Sequence, residues 1–247
     1  MSERLQSSAD TLSASVDVNG SSLSFGPVDE VSGIAPPAFH HRHEVRSVNQ
    51  TFSPDPADPT SPTVEVGAKD LINTASSKGI GVDSVSTQAT SDIKSATFSL
   101  IENPLSTLAI LGLSVSASFI HSESNSSYVF GPNTGSVSGD ASFGSLKIGG
   151  TLLGGKTLRF SGDVKPNTVI YQKDGVTITL DKQTLSDFLP PTSASTIATP
   201  NRITTDAIDI SFNNAHLFGQ TVTGDIAICQ TSADYFTSPI VSPASHS

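Results

Sequence analysis

The sequence has almost none of the residues on which disulfide-bonded and thiolate-metal proteins depend. Of its 247 residues one is cysteine, one is methionine and none is tryptophan. A single cysteine excludes a disulfide within the chain, and it excludes a metal centre built from several thiolates. Cys229 continues the strand-like pattern of residues 226–228, with no histidine beside it. We therefore predict a small buried side chain there and not a catalytic thiol.

Charged residues are also few, and most of them are acidic. They make up 15% of the chain, whose formal net charge is −10 at pH 7. Proteins bind nucleic acid and anionic membrane surfaces through clustered Lys and Arg, and this sequence has no such cluster. It therefore predicts neither kind of partner. The simplest meaning of the acidic excess is solubility and repulsion between copies.

Long apolar runs are missing as well. The best candidate for a membrane span, residues 105–120, is interrupted by Ser and Thr, so we predict no membrane span. Residues 1–10 are polar and contain no apolar segment of the signal-peptide kind. From this we expect either another export route or a mature form with an added Met. Low charge also argues against general disorder, because disordered chains combine low hydrophobicity with high charge.

What the sequence does have is an apolar residue at every second position. Residues 12–18 alternate in this way, and residues 111–119 are the clearest case, with Leu, Val, Ala and Phe at the odd positions. Such alternation is typical of strands that bury one face and expose the other. Across residues 82–101 the apolar phase changes, which we interpret as two strands or a bulge near Lys94.

Turn residues separate these strand patterns. Asn19-Gly20 and residues 173–175 predict tight hairpins, since Asn, Asp and Gly accept left-handed backbone conformations. Helical signals are limited to one turn at residues 184–189 and one near residues 103–104. The sequence thus predicts an all-β fold. We expect an antiparallel β-sandwich, rich in Ser, Thr and Gly, with at most one or two short helical turns.

The pattern also predicts how the chain is divided. We expect a single large β domain over residues 10–234, with a Pro-rich loop at about residues 27–62, because proline removes backbone donors and blocks regular pairing. Residues 1–9 and 235–247 are predicted to be disordered.

A histidine cluster at residues 39–44 is the densest group of candidate metal ligands. On an extended strand His41 and His43 point the same way, so they could share a metal ion with a distant carboxylate. The alternative is a solvated segment beside prolines. His121 and His216 are isolated, each next to a predicted turn.

Carboxylates give a second candidate metal site. Asp206 and Asp209, or Asp55 and Asp58, could join backbone carbonyls around a structural Ca²⁺ ion. The sequence contains no EF-hand loop, and no acidic Gly-rich repeat. We therefore predict no cofactor apart from this structural Ca²⁺. Catalytic signals are weak as well, since the chain has no Gly-x-Ser-x-Gly elbow between a strand and a helix.

Three segments resemble those of bacterial secreted choice-of-anchor surface proteins. They are residues 11–16, the Gly- and Ser-rich hairpins of residues 139–155, and residues 203–210, which are followed by Gly-Asp-x-x-Ile at residues 224–228. The resemblance implies a β-rich exported protein held at or near the cell envelope, and it implies no activity. The chain differs from that family in showing neither a signal peptide nor a C-terminal sorting signal.

We therefore predict a non-enzymatic extracellular or cell-surface structural protein, such as a matrix, fibre or adhesion subunit. It could self-assemble through free strand edges, or meet a glycan or another cell-surface partner. One alternative is a glycan- or Ca²⁺-binding β-sandwich module, with Tyr128, Tyr171 or Tyr235 on a concave sheet face. Another is a virion structural protein. A hydrolase would instead place a His near a Ser, or near two carboxylates in a cleft.

Overall fold

Two antiparallel sheets, packed face to face, make up the part of the protein that is described. The computed structural model describes residues 4–18, 20–53, 63–78, 83–102, 110–132, 134–186, 201–217 and 219–236. The strands are β1 (Arg4–Val18), β2 (Ser21–Val28), β3 (Val31–Ala35), β4 (His40–Phe52), β5 (Thr63–Lys78), β6 (Ser84–Glu102), β7 (Ile110–Val129), β8 (Thr134–Gly149), β9 (Leu158–Asp163), β10 (Thr168–Lys173), β11 (Val176–Ser186), β12 (Arg202–Leu217) and β13 (Gln220–Phe236). The predicted all-β sandwich is confirmed.

Strands that follow one another in the chain are neighbours in space. Sheet A has the order β10-β11-β12-β13-β1-β2, with β3 also paired to β1, and sheet B has the order β4-β5-β6-β7-β8-β9. The chain changes sheet after β3 and again after β9. The pairing of β1 with β13, from Arg4↔Phe236 to Val18↔Val222, joins the first strand to the last.

Both predicted hairpins are present. Val18 pairs with Ser21, and the Asp17 carboxylate accepts a hydrogen bond from the Gly20 amide at 2.7 Å. Lys173 pairs with Val176, and the two residues between them, Asp174 and Gly175, have φ angles of 52° and 80°. Two successive left-handed residues match the twist of a two-residue hairpin turn.

The predicted loop at residues 27–62 is wrong over much of its length. β3 and β4 lie within it, because residues 31–35 and 40–52 contain no proline. Pro36 and Pro37 fall in the connection between these strands. Pro27 lies in β2, which pairs only with β1 among the described strands, and such edge positions tolerate proline.

The predicted disorder is also wrong for residues 4–9, since β1 begins at Arg4, and residues 1–3 lie outside the described residues. Leu5 is fully buried opposite Tyr235, so the inward pattern starts earlier than the polar sequence indicates. β13 continues to Phe236, two residues into the segment predicted to be disordered, and residues 237–247 lie outside the described residues.

Helix is confined to a single short turn in the described residues. A 3-10 turn at Thr151–Leu153 joins β8 to β9. The predicted helical turn at residues 184–189 is wrong where it can be seen, because residues 184–186 belong to β11. The rest of that turn and residues 103–104 lie outside the described residues. No helix in the described segments is long and apolar enough to cross a bilayer.

A row of residues across each sheet changes the phase of the alternation, and we call this row the seam. In β6 the buried residues change from odd to even positions between Ile93 and Ala96, which confirms the change of phase near Lys94. The predicted interpretation as two strands or a bulge is wrong, because β6 is one strand with no register shift at that point. The seam consists of Arg46, Asp70, Lys94, Phe119 and Gly144 in sheet B, and of Thr11, Cys229, Ala207 and Asp181 in sheet A.

The seam keeps neighbouring strands in register while it shifts the pleat. The residues on either side of it stay paired, for example Ile93 with Ile120 and Ser95 with Ser118. Every second strand achieves the shift with a left-handed residue, which costs free energy in a non-glycine residue. These residues are Asp70, Phe119, Asp181 and Cys229, with φ between 48° and 62°. A coordinated row of this kind makes each sheet change phase as a unit.

The sandwich has a different interior on each side of the seam. One side, the apolar half, is filled by large side chains that include Phe98, Leu113, Ile148, Ile178 and Ile210. On the other side, the hydroxyl half, most of the residues that face the opposite sheet are small. Those buried there include Ser7, Ala9, Ala75, Thr87, Ala89, Ser91, Ser122, Ser124, Ser126, Thr205 and Thr231.

Hydrogen bonds join the two sheets across the hydroxyl half. Ser124 Oγ donates to Thr205 Oγ1 at 3.0 Å, and Ser126 Oγ donates to the carbonyl oxygen of Asp234 at 2.9 Å. Glycine permits this close approach, because a Cβ atom at Gly139 would collide with Thr205 Oγ1. Buried hydroxyls would be costly without partners, so these bonds stabilise the close packing of the sheets.

Candidate functional site

His41 and His43 lie on β4, and His41 is directed toward β3 while His43 is directed toward the connection from β2 to β3. His41 Nδ1 is 2.7 Å from the carbonyl oxygen of Ser32, to which it donates. His43 Nδ1 contacts the carboxylate of Asp29. The two rings therefore bind different groups. Each histidine helps to hold β4 of sheet B against the edge of sheet A.

Asp29 and its partners form a buried polar cluster at that edge. The Asp29 side chain is fully buried and its backbone is left-handed, with φ 61°. Burial raises the pKa of Asp29, although the hydrogen bond to His43 lowers it in part. The Asn73 amide donates to Thr11 Oγ1 at 2.8 Å and to the Asp29 carbonyl. This cluster joins the two sheets beside the break between β2 and β3.

Asp206 and Asp209 do lie on one face, the outer face of sheet A, because the seam at Ala207 falls between them. Lys182 Nζ is 2.8 Å from Asp209 Oδ1, and Gln230 Nε2 donates to Asp206 Oδ1 at 2.5 Å. An ammonium group and an amide thus contact the carboxylates predicted to bind Ca²⁺. Asp55 and Asp58 lie outside the described residues.

Burial changes the acidity of this group of carboxyls. Desolvation raises the pKa of Asp206 to about 6. Desolvation also raises the pKa of Asp10, to about 7, and the negative charge of Asp206 adds to this shift. Asp10 Oδ1 is buried without a hydrogen-bond partner. Across the described ranges, no group of three or more His, Cys, Asp or Glu residues is arranged to hold a metal ion.

Two of the three tyrosines predicted to line a sugar-binding face are inside the sandwich. Tyr128 and Tyr235 are buried, with ring centroids 5.9 Å apart across the two sheets. The Tyr171 hydroxyl donates to the carbonyl oxygen of Leu152 at 2.8 Å. The predicted position of Tyr128 and Tyr235 is wrong because both continue the inward phase of β7 and β13.

Cys229 is fully buried, as predicted, and burial raises the pKa of its thiol.

His121 lies between two carboxylates on the outer face of sheet B. Its Nδ1 is 2.8 Å from Asp92 Oδ1, and its Nε2 is 3.9 Å from Glu123 Oε2. The hydrogen bond to Asp92 raises the pKa of His121 more than partial burial lowers it. These three residues follow one another along the open surface of paired strands β6 and β7. The charge pattern is thus part of a sheet face and not of a cleft.

The sequence did not indicate the most exposed aromatic side chain in the described residues. Phe119 fits the apolar alternation of residues 111–119, which predicts that it faces the core. The seam turns it outward instead, and 67% of the side chain is exposed. Gly144 on the neighbouring strand leaves room for its ring, because a Cβ atom there would lie 2.9 Å from Phe119 Cδ2.

Phe119 stands at the centre of a broad hydroxyl-bearing surface, the outer face of sheet B. Its rows run across the strands, such as Ser95, Ser118 and Ser145 on one side of the seam. On the outward positions of β5 to β8, Lys69 and Lys147 lie on the apolar-half side together with Glu65. Asp92, Glu123 and Asp140 lie on the hydroxyl-half side. Lys94 and Asp70 pair at 2.9 Å within the seam itself.

Fold and surface together define the chain as an antiparallel β-sandwich whose sheet B has a hydroxyl-bearing outer face. Its sequence matches no protein-family model and no curated protein. The resemblance to choice-of-anchor surface proteins therefore stays a prediction.

Proposed function

We propose that this protein is a non-enzymatic structural subunit that works outside the cell, in a matrix, in a fibre or at the cell surface. The observation that carries the proposal is the outer face of sheet B. Its central strands β5 to β8 are 16, 19, 20 and 16 residues long, and their pairing runs through nearly their whole length. Such a surface suits repeated contact over a large area.

The side chains on this face support a role in contact. Ser, Thr and Asn form rows on it, and some of them bond across strands, as Ser118 and Ser145 do at 2.8 Å. Small hydroxyl side chains leave the surface flat and lose little conformational entropy when a partner covers them.

The interior of the sandwich supports a role that requires resistance to unfolding and proteolysis. Hydroxyl-to-hydroxyl and hydroxyl-to-carbonyl bonds connect the two sheets at several points, including Ser122 to the Thr205 carbonyl at 3.1 Å and Ser91 to the Asp10 carbonyl at 3.2 Å. Long strands, each hydrogen-bonded to its neighbours and to the opposite sheet, resist local opening. A subunit exposed to proteases outside the cell benefits from this, because cleavage requires the open form.

The location of the protein in its own organism tests this proposal. An antibody raised against the purified chain is applied to intact cells and to permeabilised cells, with an antibody to a cytoplasmic enzyme as the control. We expect equal labelling of both preparations, or labelling of the surrounding matrix, whereas the control labels permeabilised cells alone. Labelling that appears only after permeabilisation contradicts the proposal.

A further inference from the structure

We propose that the outer face of sheet B is the contact surface for a second copy of this chain, packed face to face about a two-fold axis. The inference rests on the proposed structural role and names the partner. The axis lies in the contact plane, runs parallel to the seam and passes close to Phe119. Strand β7 of one copy then faces β7 of the other.

Phe119 provides the centre of this contact. A bulky residue in the left-handed region is strained. Here the left-handed backbone of Phe119 directs its side chain into solvent, and the residue is 67% exposed. Gly144 beside it adds no side chain of its own. Aromatic residues near the centre of an interface contribute most of the binding energy when they become buried. Two copies related by the axis would bury both rings against each other and against the glycines.

The charges on this face complement those of a second copy in this orientation. Rotation about the axis exchanges the two sides of the seam, so the side of one copy that carries Lys69 and Lys147 meets the side of the other that carries Asp92, Glu123 and Asp140. Lys147 and Asp140 lie on the same strand, two outward rows from Gly144 in opposite directions. Lys147 of each copy therefore approaches Asp140 and its neighbour Glu123 in the other copy.

The rest of the charge does not oppose this contact. On the described strands the outer face of sheet A carries more acidic than basic residues, and its basic residues include Lys182 and Arg202. Its acidic residues are Asp10, Asp17, Asp206, Asp209, Asp225 and Asp234. The outer face of sheet B is nearly balanced. Although the net charge is −10, the excess negative charge lies mainly on the outer face of sheet A, so it does not prevent two copies from packing through the outer face of sheet B.

The hydroxyl half of the sandwich shows that two Ser- and Thr-bearing sheet faces of this chain can pack closely. There Ser124 of sheet B lies 2.8 Å from Thr231 of sheet A, and Ser122 lies 3.0 Å from the same hydroxyl. The outer face of sheet B presents the same side chains. Four strands of this length, about 4.8 Å apart, cover about 1,000 Å² per copy, which is within the range of stable protein interfaces.

Light scattering coupled to size-exclusion chromatography tests the inference with the full chain. We expect the wild-type protein to be a dimer at tens of micromolar. Phe119→Ser, Lys147→Asp and Asp140→Lys should each weaken the dimer at least about tenfold, because the first removes the central ring and the others bring like charges together. Asp225→Lys, on the outer face of sheet A, is the control and should leave the dimer unchanged.

The double variant Lys147→Asp/Asp140→Lys gives a more specific test of the charge pairing between copies. In a two-fold dimer both changes fall in the same chain, so the exchanged pair again meets opposite charge and dimerisation should return. Circular dichroism shows whether each variant is folded, and a rescued dimer cannot come from an unfolded chain.

Three results would overturn the inference. One is a wild-type monomer at 100 µM. Another is a dimer that ignores Phe119 and Lys147. The third is a monomer that binds a soluble polysaccharide through Phe119, which would assign the face to a glycan. If the protein is a monomer but the antibody labels intact cells, this inference is wrong and the proposed function stands. If the protein is a dimer but the antibody labels only permeabilised cells, the proposed function is wrong and the dimer contact stands.

Discussion

Asp10 lies next to Asp206 across β13, and both carboxyls bear on the pH dependence of stability. Burial raises the pKa of Asp10 to about 7 and that of Asp206 to about 6 in the folded state, both above the ordinary value of an aspartate. A group with a raised folded-state pKa binds more protons in the folded state than in the unfolded state. The free energy of unfolding therefore falls as pH rises from about 4 to about 7, and it is level above that.

The variant Asp10→Asn tests this sign. An uncharged isostere removes the ionisation of Asp10, so we expect the variant to be more stable than the wild type at pH 8, by about 2–4 kcal/mol, and nearly equal to it at pH 3.5. Thermal unfolding of both proteins across this range measures the difference. Asp163→Asn, at an exposed position of β9 in the other sheet, is the control and should follow the wild-type curve. A pH dependence that is the same in Asp10→Asn and wild type would contradict the assignment.

Single residues also show where reading the sequence succeeds and fails. Alternation placed Cys229 inside, and it placed a change of phase near Lys94. The same rule failed for Phe119, because strict alternation assigns every second residue to the core and does not allow for a strand that turns one apolar residue outward. The tyrosines were placed on an outer face only by the glycan-binding alternative, whereas Tyr128 and Tyr235 continue the inward phase of β7 and β13. Whether Phe119 faces in or out depends on Gly144, which lies 25 positions away in the chain.

At the scale of strands, the hydroxyl half explains why the composition is so poor in large apolar residues. Interior positions of long strands are filled by Ser, Thr, Ala and Gly, and the two sheets approach until hydroxyls meet. The sequence could predict strands from this pattern, but it could not predict that many of the serines face inward. Ser122, Ser124 and Ser126 have the same spacing as the outward serines of β7. Only the position of the seam decides which set is buried.

Ser124→Val tests the close packing of the sheets. Valine favours strands, yet here we expect a loss of about 1–3 kcal/mol in the free energy of unfolding. Two methyl groups would press against Thr205 and Thr231, and both hydroxyls would lose a partner. Urea unfolding monitored by circular dichroism measures the change. Ser15→Val, at an exposed position of β1 on the outer face of sheet A, is the control and should change stability by less than about 0.5 kcal/mol. Equal effects of the two substitutions would show that the sheets are not closely packed at Ser124.

At the scale of the whole molecule, the order of the strands makes most pairings local. Each strand of sheet B pairs with its neighbours in the chain, and so do β10 to β13 in sheet A. The long-range exception is β1 with β13, which places Arg4 opposite Phe236. The sequence predicted successive hairpins well because turn residues are local signals. It gave no sign of the β1–β13 pairing or of the points where the chain changes sheet, which depend on packing between distant segments.

A circularly permuted chain tests this arrangement. Residue 247 is joined to residue 1, so that the residues beyond Phe236 and before Arg4 become the linker between paired strand ends, and new ends are made between Asp174 and Gly175. That turn lies at the edge of sheet A and buries little, so we expect a folded protein that melts cooperatively within about 10 °C of the wild type. The matched permutant opens β7 between Ile120 and His121, in the middle of sheet B, where both strand neighbours would lose a continuous partner, and it should not fold. If instead the two permutants were equally stable, or neither folded, the order of strands would not govern folding in the way that the β1–β13 pairing implies.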